Sequence, residues 1–185
     1  MPKIPQPNEI KGDVILRKLH PSDAGDVHSK FYKQEILKWI FFQPKKDFSI
    51  NDQKEWIKKT LVKIKKHKSY VFGITLPDQK DIIGIISLEK FNWENKNAQI
   101  GYWISKEYWG KGLMPKAVSL ILHFAFRKLK LHRVYAAVFA ENIQSQKVLE
   151  KCNFTKEGTT RHATFRFNRW QDKIRYGILS HEFKT

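Results

Sequence analysis

Short segments rich in β-branched and aromatic residues alternate with polar turns through much of the chain. One strand pattern is VILRKL (14–19), and two more, YVFGITL (70–76) and DIIGIISLEKFN (81–92), flank the turn sequence PDQKD. Two strand patterns joined by such a turn predict a hairpin. A second turn, NWENKN (92–97), leads into a fourth strand pattern, AQIGYWI (98–104).

Longer segments have the spacing or the end signals of helices. PSDAGDVHSKF predicts a helix start with Ser22 or Asp23 as the cap, and Ser49 with Asp52 resembles a capping box for the next helix. The segment LMPKAVSLILHFAFRKLK (113–130) is apolar nearly all round, which is typical of a helix buried against a sheet.

The order strand, helix, strand over residues 98–139 fixes the direction of two strands. One helix between short loops brings the second strand, RVYAAVF (133–139), back parallel to the first by a right-handed crossover. The loops 105–112 and 140–142 therefore leave from the same edge of the sheet, and each continues into a helix, the second being NIQSQKVLEKCN (142–153). Ligands bind at such an edge in open α/β sheets.

Two long strand patterns, FTKEGTTRHATF (154–165) and DKIRYGILSHEF (172–183), close the chain. Together the patterns predict an α/β (α+β) fold, with a mixed, mostly antiparallel sheet of about seven strands flanked by about four helices. The length suits one domain, residues 1–185, and the three prolines within residues 1–12 predict a flexible tail.

Composition and charge narrow the class of protein. No segment has the length of a membrane-spanning helix, no apolar signal stretch is found near residue 1, and Cys152 is the single cysteine. We therefore expect a cytoplasmic protein with no membrane partner and no metal site. The net charge of +17 predicts attraction to polyanions or acidic proteins, without specific DNA binding. The lysine cluster at 58–68 predicts a solvated helix face, with a nucleic-acid patch as the alternative.

A glycine pair in EYWGKGLMP (107–115) precedes the buried helix. A helix N-terminus with unpaired N–H groups binds phosphate, and Gly110 and Gly112 leave room for a close approach while Lys111 adds positive charge. A plain glycine turn is the alternative. The GxxxxGK[ST] pattern is absent, and Pro115 stands where GxGxxG needs its third glycine, so nucleotide hydrolysis and dinucleotide binding are disfavoured.

Four segments resemble the GNAT superfamily of N-acetyltransferases, in particular its ribosomal-protein N-terminal acetyltransferase (RimJ/RimL-like) branch. IGYWISKEYWGKGLMPKAV looks like the cofactor-binding motif, and NIQSQKVLEKCNF resembles the motif N-x-x-S-x-x-x-L-x-x-x-G-F. The tail EGTTRHATFRFNRWQDKIRYGIL and the opening VILRKLHPSDA resemble the closing and first strands of that branch. The departures are Glu107 at a Gln/Arg position and Asn153 at a glycine position.

The resemblance implies acetyl-CoA as the donor and a primary amine as the acceptor, with direct attack on the thioester. It also implies a GNAT fold in which the central parallel strands splay. The pantetheine arm would pair there with the backbone of Tyr102, Trp103 and Ile104. The pyrophosphate would bind the backbone amides of Trp109, Gly110, Lys111, Gly112, Leu113 and Met114.

Ser145 is the candidate donor to the leaving thiolate. It lies one turn into the helix 142–153, on the face that Val148, Leu149 and Cys152 share, and the branch has a serine at this place. The alternative is an ordinary first-turn residue. Asn142 is expected to cap the helix and to touch the pantetheine amide.

The base that accepts the substrate proton is not obvious from the sequence. The superfamily and the branch have glutamates where Gln99 and Thr164 stand, so His162, two residues before Thr164, and Glu94 in the NWENKN turn are the remaining titratable groups. A bound water is the third candidate, because an N-terminal amine is already partly deprotonated at neutral pH. Gln99, Thr164 and Glu94 would then only shape the substrate pocket.

Three functions are consistent with these observations. The leading hypothesis is N-acetylation of a protein N-terminus, such as that of an acidic ribosomal protein, with association with the ribosome as a further expectation. A polyamine or aminoglycoside acetyltransferase of the same fold is the second, although a polycationic acceptor would need an acidic pocket. The third is a catalytically weak, basic RNA- or ribosome-binding module, which the missing carboxylates keep open.

Overall fold

One open sheet forms the centre of the computed structural model, which describes residues 9–40 and 47–184. In that part of the chain eight strands follow the order β1-β2-β3-β4-β5-β6-β8-β7. The strands are β1 (Glu9–Lys11), β2 (Ile15–Lys18), β3 (Tyr70–Thr75), β4 (Gly84–Asn92), β5 (Asn97–Ile104), β6 (Arg133–Phe139), β7 (Thr155–Arg166) and β8 (Arg169–Leu179). Every neighbouring pair is antiparallel except β5 and β6, which confirms the mixed sheet with a central parallel pair.

Helices cover both faces of this sheet. They are α1 (Ala24–Phe31), α2 (Gln34–Leu37), α3 (Ile50–Lys65), α4 (Leu113–His123) and α5 (Ile143–Lys151). Val27 of α1 and Ile57 of α3 pack on one face, called here the α1–α3 face. The apolar side of α4 and Leu149 of α5 pack on the other, the α4–α5 face. A π-helical turn (Phe124–Lys128) extends α4, so helical structure continues through most of the segment 113–130 that was predicted as one helix.

Several helices and strands begin at residues other than those predicted from the sequence. Residues 9–11, which we expected to belong to a flexible tail, pair with β2 as strand β1, whereas residues 1–8 lie outside the described residues. The side chain of His20, rather than Ser22 or Asp23, caps the first helical turn. The capping box of Ser49 and Asp52 is present. The last hairpin begins its return strand at Arg169, three residues earlier than predicted. That the chain is a single domain stays a prediction.

The parallel strands β5 and β6 pair over a short length only. Their register contains three residue pairs, from Asn97 with Arg133 to Gln99 with Tyr135. Both strands continue beyond this point, to Ile104 and Phe139, without further mutual pairing. The sheet is therefore open between residues 100–104 and 136–139. This gap, called the opening below, is the splay that the resemblance implied.

Candidate active site

Two helix N-termini lie at the edge of the sheet where β5 and β6 end. Helix α4 follows β5 and has Gly112 as its N-cap, while α5 follows β6 and has Asn142 as its N-cap. The Asn142 side-chain oxygen accepts a hydrogen bond from the Ser145 N–H at 3.1 Å, as its predicted capping role requires. The positive ends of two helix dipoles therefore lie at the same edge of the opening, which favours an anionic ligand.

The glycine loop between β5 and α4 has the geometry of a phosphate cradle. Gly110 and Gly112 have φ angles of +74° and +72°, and a Cβ atom added at either position would meet no atom within 4 Å. Within the described residues, the backbone N–H groups from Gly110 to Met114 take part in no hydrogen bond. Trp109 differs from its neighbours, because its N–H donates to the Lys106 carbonyl at 3.0 Å. The first turn of α4 therefore offers open space lined by unpaired donors.

One backbone edge of β5 faces the opening. The Ser105 N–H points toward β4, where it donates to the Ile83 carbonyl, and the Trp109 indole N–H donates to the Ile104 carbonyl. Because backbone groups alternate in direction along a strand, those of Tyr102 face the opening and those of Trp103 face β4. Tyr102 is thus the one of the three predicted pantetheine contacts that presents both backbone groups at this edge, while Ile104 presents its N–H and Trp103 presents neither.

The side chain of Tyr102 reaches from β5 to α5. Its phenolic oxygen lies 2.9 Å from the Ser145 hydroxyl oxygen and 3.2 Å from the Ser145 carbonyl oxygen. Burial raises the pKa of Tyr102 above its ordinary value, so the phenol is protonated at neutral pH. The sequence predicts a role for the Ser145 side chain but only a backbone role for Tyr102. The pairing depends on the distance between β5 and α5, which no local pattern encodes.

The predicted base His162 is exposed and lies in an irregular part of β7. Its φ angle is +48°, and the β7–β8 register shifts between Thr160 and Thr164, so His162 and Thr164 do not follow the simple alternation that we assumed. The His162 ring stacks on the Trp170 ring with centroids 6.0 Å apart, and the backbone N–H of His162 donates to the Asp172 carboxylate at 2.7 Å. These contacts fit a surface residue better than a buried base.

The other candidate pocket residues are dispersed. Gln99 lies in the last residue pair before the opening, whereas Glu94 lies in the turn before β5, at the opposite end of that strand from the glycine loop. The Thr164 hydroxyl donates to the neighbouring Ala163 carbonyl. A carboxylate that sequence analysis missed, Glu89 on β4, is the cross-strand partner of Gln99. Directly opposed residues project from the same face of a sheet, so Glu89 is a further candidate base.

A mixed-charge pocket lies between α1, α2 and the end of β5. It is lined by Lys30, Lys33, Glu35, Ile36, Ser105, Lys106 and Glu107. Across residues 9–40 and 47–184, no group of three histidine, cysteine or acidic side chains is arranged to hold a metal ion. Over the same residues, no helix is both long and apolar enough to cross a membrane.

Comparison with known proteins identifies the family. Residues 13–155 match the family model described as an acetyltransferase (GNAT) domain, so the chain belongs to the GNAT acetyltransferases. The probable N-acetyltransferase YjcK of Bacillus subtilis is 35% identical over 134 residues, which cover 72% of this chain and 74% of YjcK.

Relatives with more specific names differ in their acceptors. The putative ribosomal N-acetyltransferase YdaF of Bacillus subtilis is 28% identical, over 95% of this chain and 96% of YdaF. A solved structure of spermidine N-acetyltransferase from Vibrio cholerae, in complex with CoA and spermine, is 27% identical, with a TM-score of 0.82 over 93% of this chain and 98% of that one. The chain is thus an N-acetyltransferase with an unassigned acceptor amine.

Proposed function

We propose that this GNAT acetyltransferase transfers the acetyl group of acetyl-CoA directly to the N-terminal α-amine of an acidic protein, such as a ribosomal protein. The observation that carries the proposal is the unpaired amides of the glycine loop beside the opening between β5 and β6. This arrangement fits a ligand with a phosphate group at one end and an extended, strand-like arm at the other.

The chain's own residues then have separate tasks. When bound, acetyl-CoA supplies a thioester, and attack by a neutral amine releases a thiolate. The amides from Gly110 to Met114 bind the phosphates, and the backbone of Tyr102 holds the extended arm. The hydroxyl groups of Ser145 and Tyr102 stabilise the developing thiolate by hydrogen bonds, because both lie at the N-terminus of α5.

The acceptor approaches from the α1–α3 face. Helices α4 and α5 cover the other face, and in this proposal their N-termini serve the phosphates and the thiolate of the donor, respectively. The pocket on the α1–α3 side contains three lysines and two glutamates, so it lacks the acidic excess that a polyamine needs. The net charge of +17 likewise favours an acidic acceptor. A polyamine acceptor is the second candidate, on the strength of the spermidine acetyltransferases among the relatives.

An acceptor screen tests the proposal. Purified protein is incubated with acetyl-CoA and either an acidic peptide with a free N-terminus, the same peptide with a blocked N-terminus, or spermidine. CoA release gives the rates, and mass spectrometry locates the acetyl group. We expect acetylation of the free α-amine alone. A higher kcat/KM for spermidine would favour the second candidate, and binding of acetyl-CoA without turnover of any amine would contradict both.

The pH profile is expected to follow the acceptor rather than an enzyme base. The kcat/KM for the peptide should fall at low pH, since protonation of the α-amine, with an ordinary pKa of about 7.7–8.0, removes the nucleophile. With peptide analogues whose amines have different pKa values, the acidic limb of the kcat/KM profile should shift by the difference in amine pKa. The alternative is that an enzyme side chain accepts the substrate proton, and the His162→Ala and Glu89→Gln variants test it. If the acidic limb has the same pKa for all acceptors and disappears in one of these variants, the base is the residue replaced in that variant.

A further inference from the structure

The guanidinium group of Arg166 is buried without an anionic partner. The residue is 6% exposed, and its Nε and Nη1 atoms have no hydrogen-bond partner in the described structure. Nη2 makes only a long contact of 3.5 Å to the Leu37 carbonyl. All 18 aspartate and glutamate residues of the chain fall within residues 9–40 and 47–184, and none forms an ion pair with Arg166.

Other arginines of this protein, in contrast to Arg166, are paired with carboxylates. Arg17 makes two hydrogen bonds to the Asp23 carboxylate, at 2.8 and 2.9 Å, and Arg133 pairs with Glu157. Burial lowers the pKa of Arg166, and the Phe167 ring, with its centroid 4.9 Å from the guanidinium carbon, offers a cation–π contact but no anion. An unpaired buried charge is strongly destabilising. A residue that serves packing alone would be better replaced by an apolar side chain, so a ligand that completes the pairing is the better explanation.

Arg166 lies beside the opening, on the side of β6. It ends β7 at the tip of the β7–β8 hairpin, opposite Arg169. Because β8 pairs with β6 only as far as Lys173 and Phe139, the hairpin tip extends past the carboxyl end of β6. The glycine loop lies at the same edge of the sheet, at the end of β5.

Helix α2 connects this arginine with the other side of the opening. The Leu37 carbonyl contacts Arg166, while Glu35 and Ile36 share a pocket with Ser105, the residue after β5. The Ser105 hydroxyl is also buried without a hydrogen-bond partner among the described residues. The short helix α2, held by the buried side chain of Ile36, thus lies between two unpaired polar groups on the α1–α3 face, from which the acceptor approaches.

We propose that Arg166 binds a carboxylate group of the acceptor, so that the acetylated molecule is a primary amine with an acidic group close to the amine. This rests on the proposed function, N-acetylation of an amine at the opening. A guanidinium offers parallel N–H donors that match the two oxygen atoms of a carboxylate, in the pairs Nε with Nη2 and Nη1 with Nη2. In Arg166 both Nε and Nη1 are unpartnered among the described residues, and Nη2 has the long contact to Leu37, so either pair can bind a carboxylate. The acceptor that fits is a peptide with Asp or Glu near its N-terminus. A free amino acid offers the same chemistry, whereas spermidine offers none.

The test compares matched acceptors on wild-type protein and on Arg166→Gln. The acceptors are a peptide with Asp or Glu at the second and third positions, the same peptide with Asn and Gln there, a free amino acid, and spermidine. We expect wild-type protein to prefer the acidic peptide, and Arg166→Gln to raise its KM about tenfold to a hundredfold, the effect of losing a charge-assisted pair. KM for the amide peptide and for spermidine should stay unchanged, as should stabilisation by acetyl-CoA.

Two control variants distinguish a general loss of protein structure from a specific loss of acceptor recognition. Arg169→Gln removes an exposed arginine of the same hairpin tip, paired with Glu141, and should leave KM for the acidic peptide unchanged. Arg166→Met removes the unpaired charge without opening a large cavity, and its melting temperature should match or exceed that of wild type.

Four results would overturn the proposal. They are equal losses for the acidic and amide peptides, no wild-type preference between them, a clear fall in the melting temperature of Arg166→Met, or turnover of spermidine alone. The last would also remove the proposed function, whereas the first three would leave it intact. Preference for the free amino acid over the peptide would keep the carboxylate assignment and move the acceptor to a small molecule.

Discussion

Replacement of Gly110 or Gly112 by valine is expected to abolish the stabilisation of the protein by acetyl-CoA. Both positions have positive φ angles, and the space where a Cβ would project contains no atom within 4 Å. If the phosphates bind there, valine methyl groups would occupy their place and hold the unpaired amides at a distance. Wild-type protein at a hundredfold excess of acetyl-CoA over Kd should gain about 2.7 kcal/mol of stability, which is seen as a rise in melting temperature in a thermal-shift assay.

Each variant is compared with its own ligand-free form, because valine at a positive φ strains the backbone whether or not a ligand binds. Gly158→Val supplies the matched control. Gly158 also has a positive φ, of +153°, and open space around it, but it lies in β7, away from the glycine loop. We expect Gly158→Val to lower the melting temperature and to keep the full ligand shift. A full ligand shift in folded Gly110→Val and Gly112→Val would remove the phosphate assignment from this loop.

Loss of the hydroxyl pair at α5 should slow turnover while binding persists. Ser145→Ala is expected to lower kcat about tenfold to a hundredfold, the range for a positioned proton donor, with a smaller change in KM for acetyl-CoA. The effect falls on kcat because the group stabilises charge that develops only in the transition state. Tyr102→Phe should act in the same direction, since its phenol lies 2.9 Å from the Ser145 hydroxyl.

The double variant distinguishes a shared role from two separate ones. If the two hydroxyls act as a unit, Ser145→Ala with Tyr102→Phe should cost less than the product of the single effects. Ser119→Ala, on the exposed side of α4, is the matched control and should turn over at the wild-type rate. If Ser145→Ala has the kcat of wild-type protein, Ser145 has no catalytic role and is an ordinary residue of the first helical turn.

The elements that place the donor follow from local signals. Strand, helix and strand patterns joined by short loops force the parallel order of β5 and β6, and the glycine pair before an apolar helix marks the phosphate loop. The first signal is a series of adjacent segments within residues 98–139, and the second lies within residues 107–115, so local turn chemistry and periodicity are informative for both. The fold class could therefore be predicted from sequence, and the same local signals locate the glycine loop that we propose as the phosphate site.

The acceptor side depends on contacts between distant segments. Glu89 becomes the partner of Gln99 because the β4–β5 register shifts between Glu89 and Asn92, near Lys90 with its φ of +51°, and nothing in the sequence marks that bulge. A second irregular stretch separates His162 from Thr164. Arg166 becomes buried through its contact with Leu37, 129 positions away. The alternation of apolar and polar residues along a strand predicts neither a β-bulge nor a contact that depends on tertiary packing.

The short pairing between β5 and β6 divides the sheet into two blocks, β1–β5 and β6–β8, joined along a seam of three residue pairs. Helix α4 and the core on its face hold the blocks together, because the seam itself contributes only three pairs of residues. The extended donor arm that we propose to pair with β5 would add a strand at this seam and reinforce the junction of the two blocks. Donor binding is then coupled to the local opening of the sheet, and amide exchange along β5 and β6 becomes a measure of how much of the protein is loaded.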